Sequence, residues 1–572
     1  VTITPNSELQ VREALGLGSG TVVEDDAGTL ATTDDGELVF GDGATITRSA
    51  GTNVVDEATF EGSVNLVYNG VLTTTEEVPA DTSKLNNITL NAGSDVTLGK
   101  NMTVNGTLTM SGDLDDGANT LTLAKGATVV MSGGSMEEKP VAKGQYNVSY
   151  TVAGDMGNEV LAGSNSDIVI DNSADGAITV AVDNAVVDTI KVNSITVGKN
   201  DVFDLNGKIL VATGDLNFAE GNADFQNNAF TGGSLTFSGA AAQTMAFDTT
   251  SPLVRYPMAN LTINNGAGVS VTGGNLSVET LLDLTNGVLN MGGNDVQLKQ
   301  SEAAGKPVQG YTRENIAAGN QSHVANGTVT KRISHDENLS VTRSNVEFPV
   351  GTVNPSYRGL KFFFTNTQGF DDLDATIDLT VGHVEATPGG TGGFAEIGVG
   401  KYPPFYWTVE SDLDVREGTT YELHAEAVGY DGSNLSIDDV KMIYRSAGDP
   451  DRNDWRNMSG AYDNDIADDK SPRVRAKNAS GSIRSTQQLF AFGLPADIVY
   501  APIATQNLTE GGDVVTVADL DNVFTSNSPL TFALCGVPDA VNAVIDDDNN
   551  LSINGLSATD EAVTVCVQAT DE

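Results

Sequence analysis

The chain has very little of what catalytic and metal centres are usually built from. Its 572 residues include two cysteines, four histidines and two tryptophans. His323, His335, His383 and His424 are scattered, without the short spacings that bring imidazoles to one metal, and read as surface or core residues. G-x-S-x-G, P-loop, H-E-x-x-H and C-x-x-C motifs are all missing, which removes the commonest nucleophile, phosphate, zinc and redox sites. Positive charge is scarce as well: 30 Lys and Arg stand against 77 Asp and Glu, a formal charge of −47. Such a field repels nucleic acid and anionic membranes. It suits a medium whose salt or divalent cations screen the carboxylates. No apolar run approaches the ~20 residues of a membrane-spanning helix. Val1 rather than Met opens the chain, as expected after removal of an export signal.

What the chain does have is a recurring phrase. LTINNGAGVSVTGGNLSVETLLDLTNGVLNMGGNDVQL, from Leu261 to Leu298, repeats the stretch from Ile88 to Leu123. Laying Ile88 on Leu261 aligns Gly93 with Gly266 and Val96 with Val269. After single-residue insertions Val104 meets Val278, Leu108 meets Leu282, Leu114 meets Leu289, Asn119 meets Asn294 and Leu123 meets Leu298. A third copy lies between them, where ITVGKN at Ile195–Asn200 repeats VTLGKN at Val96–Asn101, and FDLNGKILVATGDL from Phe203 echoes MTVNGTLTMSGDL from Met102. Within a copy the apolar residues form alternating pairs, Val96/Leu98, Met102/Val104 and Leu108/Met110, so the period is two and each short strand turns one side inward. Asn-Gly at Asn105, Asn206, Asn265 and Asn286 supplies corners that tolerate positive φ. Short strands joined by tight corners predict stacked coils of a β-solenoid; the same alternation also permits a sandwich of hairpins.

The fold class expected is therefore all-β: solenoid or β-helix-like repeats followed by antiparallel β-sandwich modules. An N-terminal cap and first repeat region fill 1–165, and the second and third repeats 166–305. Ser7 and Gln10 resemble a capping box and Gly16 a C-terminal stop, which predicts a short helix from Glu8 to Leu15 over the open end of the solenoid. After a polar break, longer strands with more aromatics predict a sandwich over 320–495. Residues 499–572 read as a small all-β module of immunoglobulin or cadherin-like kind. Its cysteines, Cys535 and Cys566, lie in two strand-like runs, LTFALC and AVTVCVQAT, and form either a disulfide in an oxidising compartment or two buried thiols.

Several of these phrases, NLTINNGAGVSVTGGNLSVETLLDLTNGVLN followed by GTVTKRIS, VEFPVGT and YRGLKFFFTN, together with PIATQNLTEGGDVVTVADLDNVF through VTVCVQATDE, resemble the large secreted surface proteins of Bacteroidetes-type bacteria. The resemblance covers about residues 40–365 and 500–572. It implies solenoid-like repeats, β-sandwich and cadherin-like modules, and export to the cell surface. One departure is that the paired aspartates usual after the VF strand are replaced by TSNSPLTF.

Calcium is the expected cofactor, if there is one. Asp449, Asp451, Asn453 and Asp454 in GDPDRNDW, and Asp463, Asp465, Asp468 and Asp469 in DNDIADD, place several oxygen ligands in short loops, as does IDDDNN at Asp546–Asn550. Asp and Asn are also turn formers, and IDDDNNLSING equally fits a hairpin. The function expected is a non-enzymatic, extracellular structural protein, a subunit of a bacterial surface fibre or filament with an adhesive role. It would self-associate through strand edges, with Val1, Thr2, Ile3, Thr4 and Pro5 as a free alternating strand that completes a neighbour's sheet. A carbohydrate-binding or polysaccharide-degrading β-helix protein is the alternative; it would use surface glycans and the aromatics Tyr402, Phe405, Tyr406 and Trp407, or Lys191, Lys199 and Lys208 beside acids. A viral fibre protein is a further one.

Overall fold

The structure is a computed structural model. It describes residues 2–3, 8–11, 14–17, 22–25, 29–32, 37–51, 53–54, 57–161, 166–171, 177–183, 188–199, 201–218, 233–247, 255–299, 308–309, 322–334, 344–354, 356–366, 376–393, 397–412, 420–428, 430, 440–447, 454–458, 465–466, 472–479, 483–494, 498–501, 503–526, 530–559 and 562–571. The chain divides into two compact units. One comprises Val1–Glu385, Trp407–Ser433 and Ser459–Gln488; the other comprises Ala386–Tyr406, Asn434–Met458 and Leu489–Glu572.

The first unit begins as a parallel β-solenoid of about 11 turns. Each coil has three short sides, as in Leu85–Leu90, Asp95–Thr97 and Met102–Val104, and each side pairs in parallel with the matching side of the next coil, here Thr107–Met110, Asp113–Asp115 and Leu121–Leu123. The alternation expected of the sequence becomes an inward row. Ile46, Leu66, Ile88, Leu108, Val129, Val148, Ile168, Ile195, Leu216, Met245 and Val271 are register partners in succession. None is more than 2% exposed. One coil along this row takes from 19 residues, Val129 to Val148, to 29, Leu216 to Met245. Burying each such side chain stabilises by roughly 1.5–3 kcal/mol, and the coils above and below provide much of the burial. The pairing of Tyr146–Tyr150 with Ser166–Ile170 carries the ladder across residue 165 without a break.

Three sequence expectations meet a different outcome here. Glu8–Leu15 is not a helix: Glu8–Val11 and Ala14–Leu17 are strands, parallel to Thr29–Thr32 and Glu37–Phe40. The spacing of Leu9/Val11 and Leu15/Leu17 is the same period of two found in every later coil, and it overrides a capping signal that rests on two residues. Next, the aligned copies do not occupy equivalent sides. Ile88 belongs to the ladder that contains Leu108, whereas Leu261 pairs with Leu235 and Leu282; Val96 pairs with Leu114, whereas Val269 pairs with Leu289. The repeat legible in the text is one strand and its corner, interchangeable among the three sides. Lastly, the Asn-Gly corners work in two ways. Asn206 and Gly207 take φ of 50° and 77°, and Gly287 takes 95°. Asn105 and Asn265 stay out of the positive-φ region; Asn105 donates from Nδ2 to the carbonyls of Thr82 and Leu85, and the buried Asn265 to Ala241 O and Gln243 Oε1, much as Asn206 donates to Val182 O.

The change to antiparallel structure happens on one strand. Thr328–Ser334 runs parallel to Asp295–Leu298 on one edge and antiparallel to Thr376–Val384 on the other. A second antiparallel sheet, ordered Ser344–Phe348, Leu360–Asn366, Thr420–Glu426, Pro472–Ala479 and Asp465–Ile466, packs Phe362, Phe364 and Tyr421 into its core. In the other unit, Val399, Ile443, Trp455, Leu489 and Ala491 form one core cluster. Its C-terminal part is a set of antiparallel pairs: Ile498–Tyr500 with Phe524–Ser526, Val515–Asp519 and Val541–Ile545 with Asn550–Gly555, and Leu530–Gly536 with Cys566–Asp571. No helix among the described residues is long and apolar enough to cross a membrane.

Candidate functional site

The solenoid interior holds two charged networks that sequence reading missed. Arg48 occupies an inward position of the ladder, where its register partner is Tyr68 and the next residue along is Leu90. Burial of a guanidinium requires a counter-charge and filled hydrogen bonds. Its Nη1 lies 2.5 Å from Glu77 Oε1, with both side chains at most 1% exposed. Glu77 also accepts from Thr75 N and Oγ1, and from the Tyr68 hydroxyl. Burial, then the Glu77 carboxylate, raises the Tyr68 hydroxyl pKa well above its ordinary value. The alternation of ATITRSAG already places Arg48 on the same side as Ile46, so this residue was findable; Glu77, brought in from the far side of a coil, was not.

Four coils on, Glu159 sits buried with its carboxylate accepting from the Tyr150 hydroxyl and Gly157 N. Tyr146 donates to its backbone carbonyl. Burial pushes the Glu159 pKa up, ahead of the lowering effect of its hydrogen bonds. A pocket of about 290 Å³ opens beside it, also lined by Asp155 and Asp183. Its hydroxyl partners and its place in the chain tie this carboxyl to holding the coil.

Of the eight proposed calcium ligands, Asp449, Asp451, Asn453, Asp463, Asp468 and Asp469 lie outside the described residues. Asp454 precedes the buried Trp455 in one unit, and Asp465 begins a two-residue strand in the other. Among the described residues no group of three His, Cys, Asp or Glu side chains is placed to hold a metal ion. The Asp546 loop is a hairpin turn: its carboxylate accepts from the backbone of Asp548 and Asn550, which lowers its pKa, and Asn549 supplies a φ of 59°.

Cys535 and Cys566 are joined in a disulfide, with Cα atoms 5.1 Å apart. They sit at the end of neighbouring hydrogen-bonded strands, where Gly536 is the register partner of Cys566. The bond therefore staples one sheet and does not cross between two, unlike the inter-sheet bridge of an immunoglobulin domain.

Of the four aromatics proposed as a sugar platform, Phe405 and Trp407 are buried and Tyr402 and Tyr406 are half-buried. Trp407 is fully buried and donates from Nε1 to Arg358 O at 2.6 Å. In the other unit Phe405 is buried against Phe492, and Tyr402 packs on Trp455. His323 and His383 are core residues near Arg358; burial lowers their pKa to about 4 and about 3. His424 bonds to Glu422 at 2.5 Å, and His335 lies outside the described residues. Lys208 pairs with Asp188 at 3.0 Å on the outside of the coil.

At the N-terminus, Thr2–Ile3 is not a loose strand but the first rung of the ladder, paired with Glu24 and Asp25. Among the described residues this is its single pairing. Val1, Thr4 and Pro5 lie outside the described residues.

Fold and sites together define a β-solenoid protein that carries antiparallel β domains. No protein-family model, curated protein or solved structure matches the chain.

Proposed function

We propose that the chain is a non-enzymatic structural subunit of an extracellular, cell-surface fibre, assembled through strand edges. The observation that carries this reading is the ladder itself. Coil after coil closes its backbone hydrogen bonds on its neighbours, in a stack that grows along one axis. An open edge is a template for another chain. A strand from one copy added to a different surface of the next is a heterologous contact, which propagates as an open filament. The acidic surface keeps copies soluble until such an edge engages, and the Cys535–Cys566 disulfide suits an oxidising, extracellular setting. A cadherin-like role for the C-terminal module and calcium at the 449–469 loops belong to the same proposal.

The test is assembly of the full chain against a variant lacking Val1–Pro5, followed by sedimentation and electron microscopy. Fibres or large oligomers from the full chain and monomers from the deletion support the reading. Equal assembly by both would sink it.

A further inference from the structure

The sequence carries many Asn-x-Ser/Thr triplets, the acceptor motif for a glycan on the Asn amide nitrogen. Transfer requires an enzyme to enclose both the amide and the hydroxyl two residues on, so both must stand clear of the sheet. The structure separates the triplets on that ground. Asn87, Asn147, Asn260 and Asn550 lie in strands that are paired on both edges, where the next chain is only about 4.8 Å away. Asn101 and Asn275 accept from the backbone of Thr120 and Asp295, and Asn105 donates to Thr82 and Leu85. Asn326 is exposed, but the hydroxyl of Thr328 in its triplet is held by Asp295. The triplets that begin at 320, 338, 434, 457 and 478 include residues outside the described ones.

We propose that Asn507 is a site of N-glycosylation. In Asn507-Leu508-Thr509 both acceptor residues are exposed, and among the described residues neither the Asn507 side chain nor the Thr509 hydroxyl makes a hydrogen bond. Residues 503–509 belong to no strand, and they run into a turn in which Gly512 N donates to Thr509 O and Gly511 takes a φ of 66°. Asn507 therefore enters an enzyme's cleft without breaking a ladder bond. The donor is a glycan carried on a polyprenyl diphosphate. The amide nitrogen attacks the anomeric carbon, a C–N bond forms and the bond from that carbon to the diphosphate oxygen breaks. The lipid diphosphate leaves, and the amide gives one proton to a base of the transferase. The inference rests on the extracellular setting of the fibre reading, which the disulfide between the exposed Cys535 and Cys566 also suits.

The experiment is mass spectrometry of the native protein released from its cells. A protease that cuts after Asp and Glu releases Ile498–Glu510, in which Asn507 is the single asparagine, and electron-transfer fragmentation places any added mass. The expected result is hexose or N-acetylhexosamine on Asn507. It should be lost from Asn507→Gln and Thr509→Ala made in the same cells, and kept by Thr509→Ser. These positions are exposed, so folding is preserved; an intact Cys535–Cys566 disulfide in each variant checks this. A bare 498–510 peptide, sugar on Thr505 or Thr509 instead, or sugar that survives Thr509→Ala overturns the proposal. The two readings fail separately. Secreted, fibre-forming protein with a bare 498–510 peptide removes the glycan and leaves the fibre. Glycosylated Asn507 in a protein that never forms fibres keeps the glycan and removes the fibre. Protein retained inside the cell, bare and with free thiols, removes both.

Discussion

Replacing Arg48 by Met should cost far more than the loss of one ion pair on a protein surface. The side chains of Arg48 and Glu77 are 1% and 0% exposed, and their 2.5 Å contact lies inside the coil. With Arg48 gone, Glu77 keeps its bonds from Thr75 and Tyr68 but loses the guanidinium beside it. An uncompensated buried charge of this kind costs about 3–5 kcal/mol. Removing both charges as Arg48→Met/Glu77→Gln leaves an uncharged, still hydrogen-bonding interior, and should recover most of that loss. Urea unfolding followed by far-UV circular dichroism at pH 7 gives the three free energies of the cycle. Hydrogen exchange at Leu66 to Tyr68 localises the effect to these coils, because solenoid stability is nearly a sum over neighbouring repeats. The reasoning is refuted if Arg48→Met stays within about 0.5 kcal/mol of wild type, or if the double variant is no more stable than the single one.

Three further outcomes follow from the same structure. His323 and His383 are held neutral with pKa values of about 4 and about 3, below the unfolded 6.5, so the unfolded chain takes up protons first as pH falls from 6.5 toward those values. Stability should drop by about 2 kcal/mol per histidine between pH 7 and pH 5; a flat urea midpoint over that window contradicts it. Gly273 has a φ of +77°, and a Cβ there would lie 1.7 Å from Phe247 O, while Gly93, at +79°, has nothing within 4 Å. Gly93→Ala should therefore cost about 1–2 kcal/mol and Gly273→Ala clearly more; equal thermal shifts would count against the corner geometry. Opening the Cys535–Cys566 bond, which closes a 31-residue separation, should destabilise the C-terminal module by about 3–4 kcal/mol while leaving solenoid exchange rates unchanged. Loss of solenoid protection on reduction would be the contrary result.

The solenoid was legible because one physical signal, apolar residues two apart with small or polar corners, recurs through the chain and is satisfied in the same way each time. The side of the coil was not legible, since all three sides ask for the same alternating pair; Ile88 and Leu261 match in sequence and stand on different ladders. The helix expected at Glu8–Leu15 came from a capping pair that carries less free energy than pairing two strands into the ladder. Asn105, Asn206 and Asn265 show that a dipeptide does not fix backbone conformation: each side-chain amide reaches a carbonyl of a neighbouring segment, yet of the three Asn206 alone takes positive φ. Arg48 could have been read from its parity, but the burial of Trp407 depends on contacts made over long sequence separations, to which local pattern is blind.

The most direct measurement is electron microscopy of the native material released from cells, with and without a calcium chelator. The account predicts long, regular fibres, and their loss on chelation would assign metal to the assembly. Discrete monomers under both conditions would contradict it.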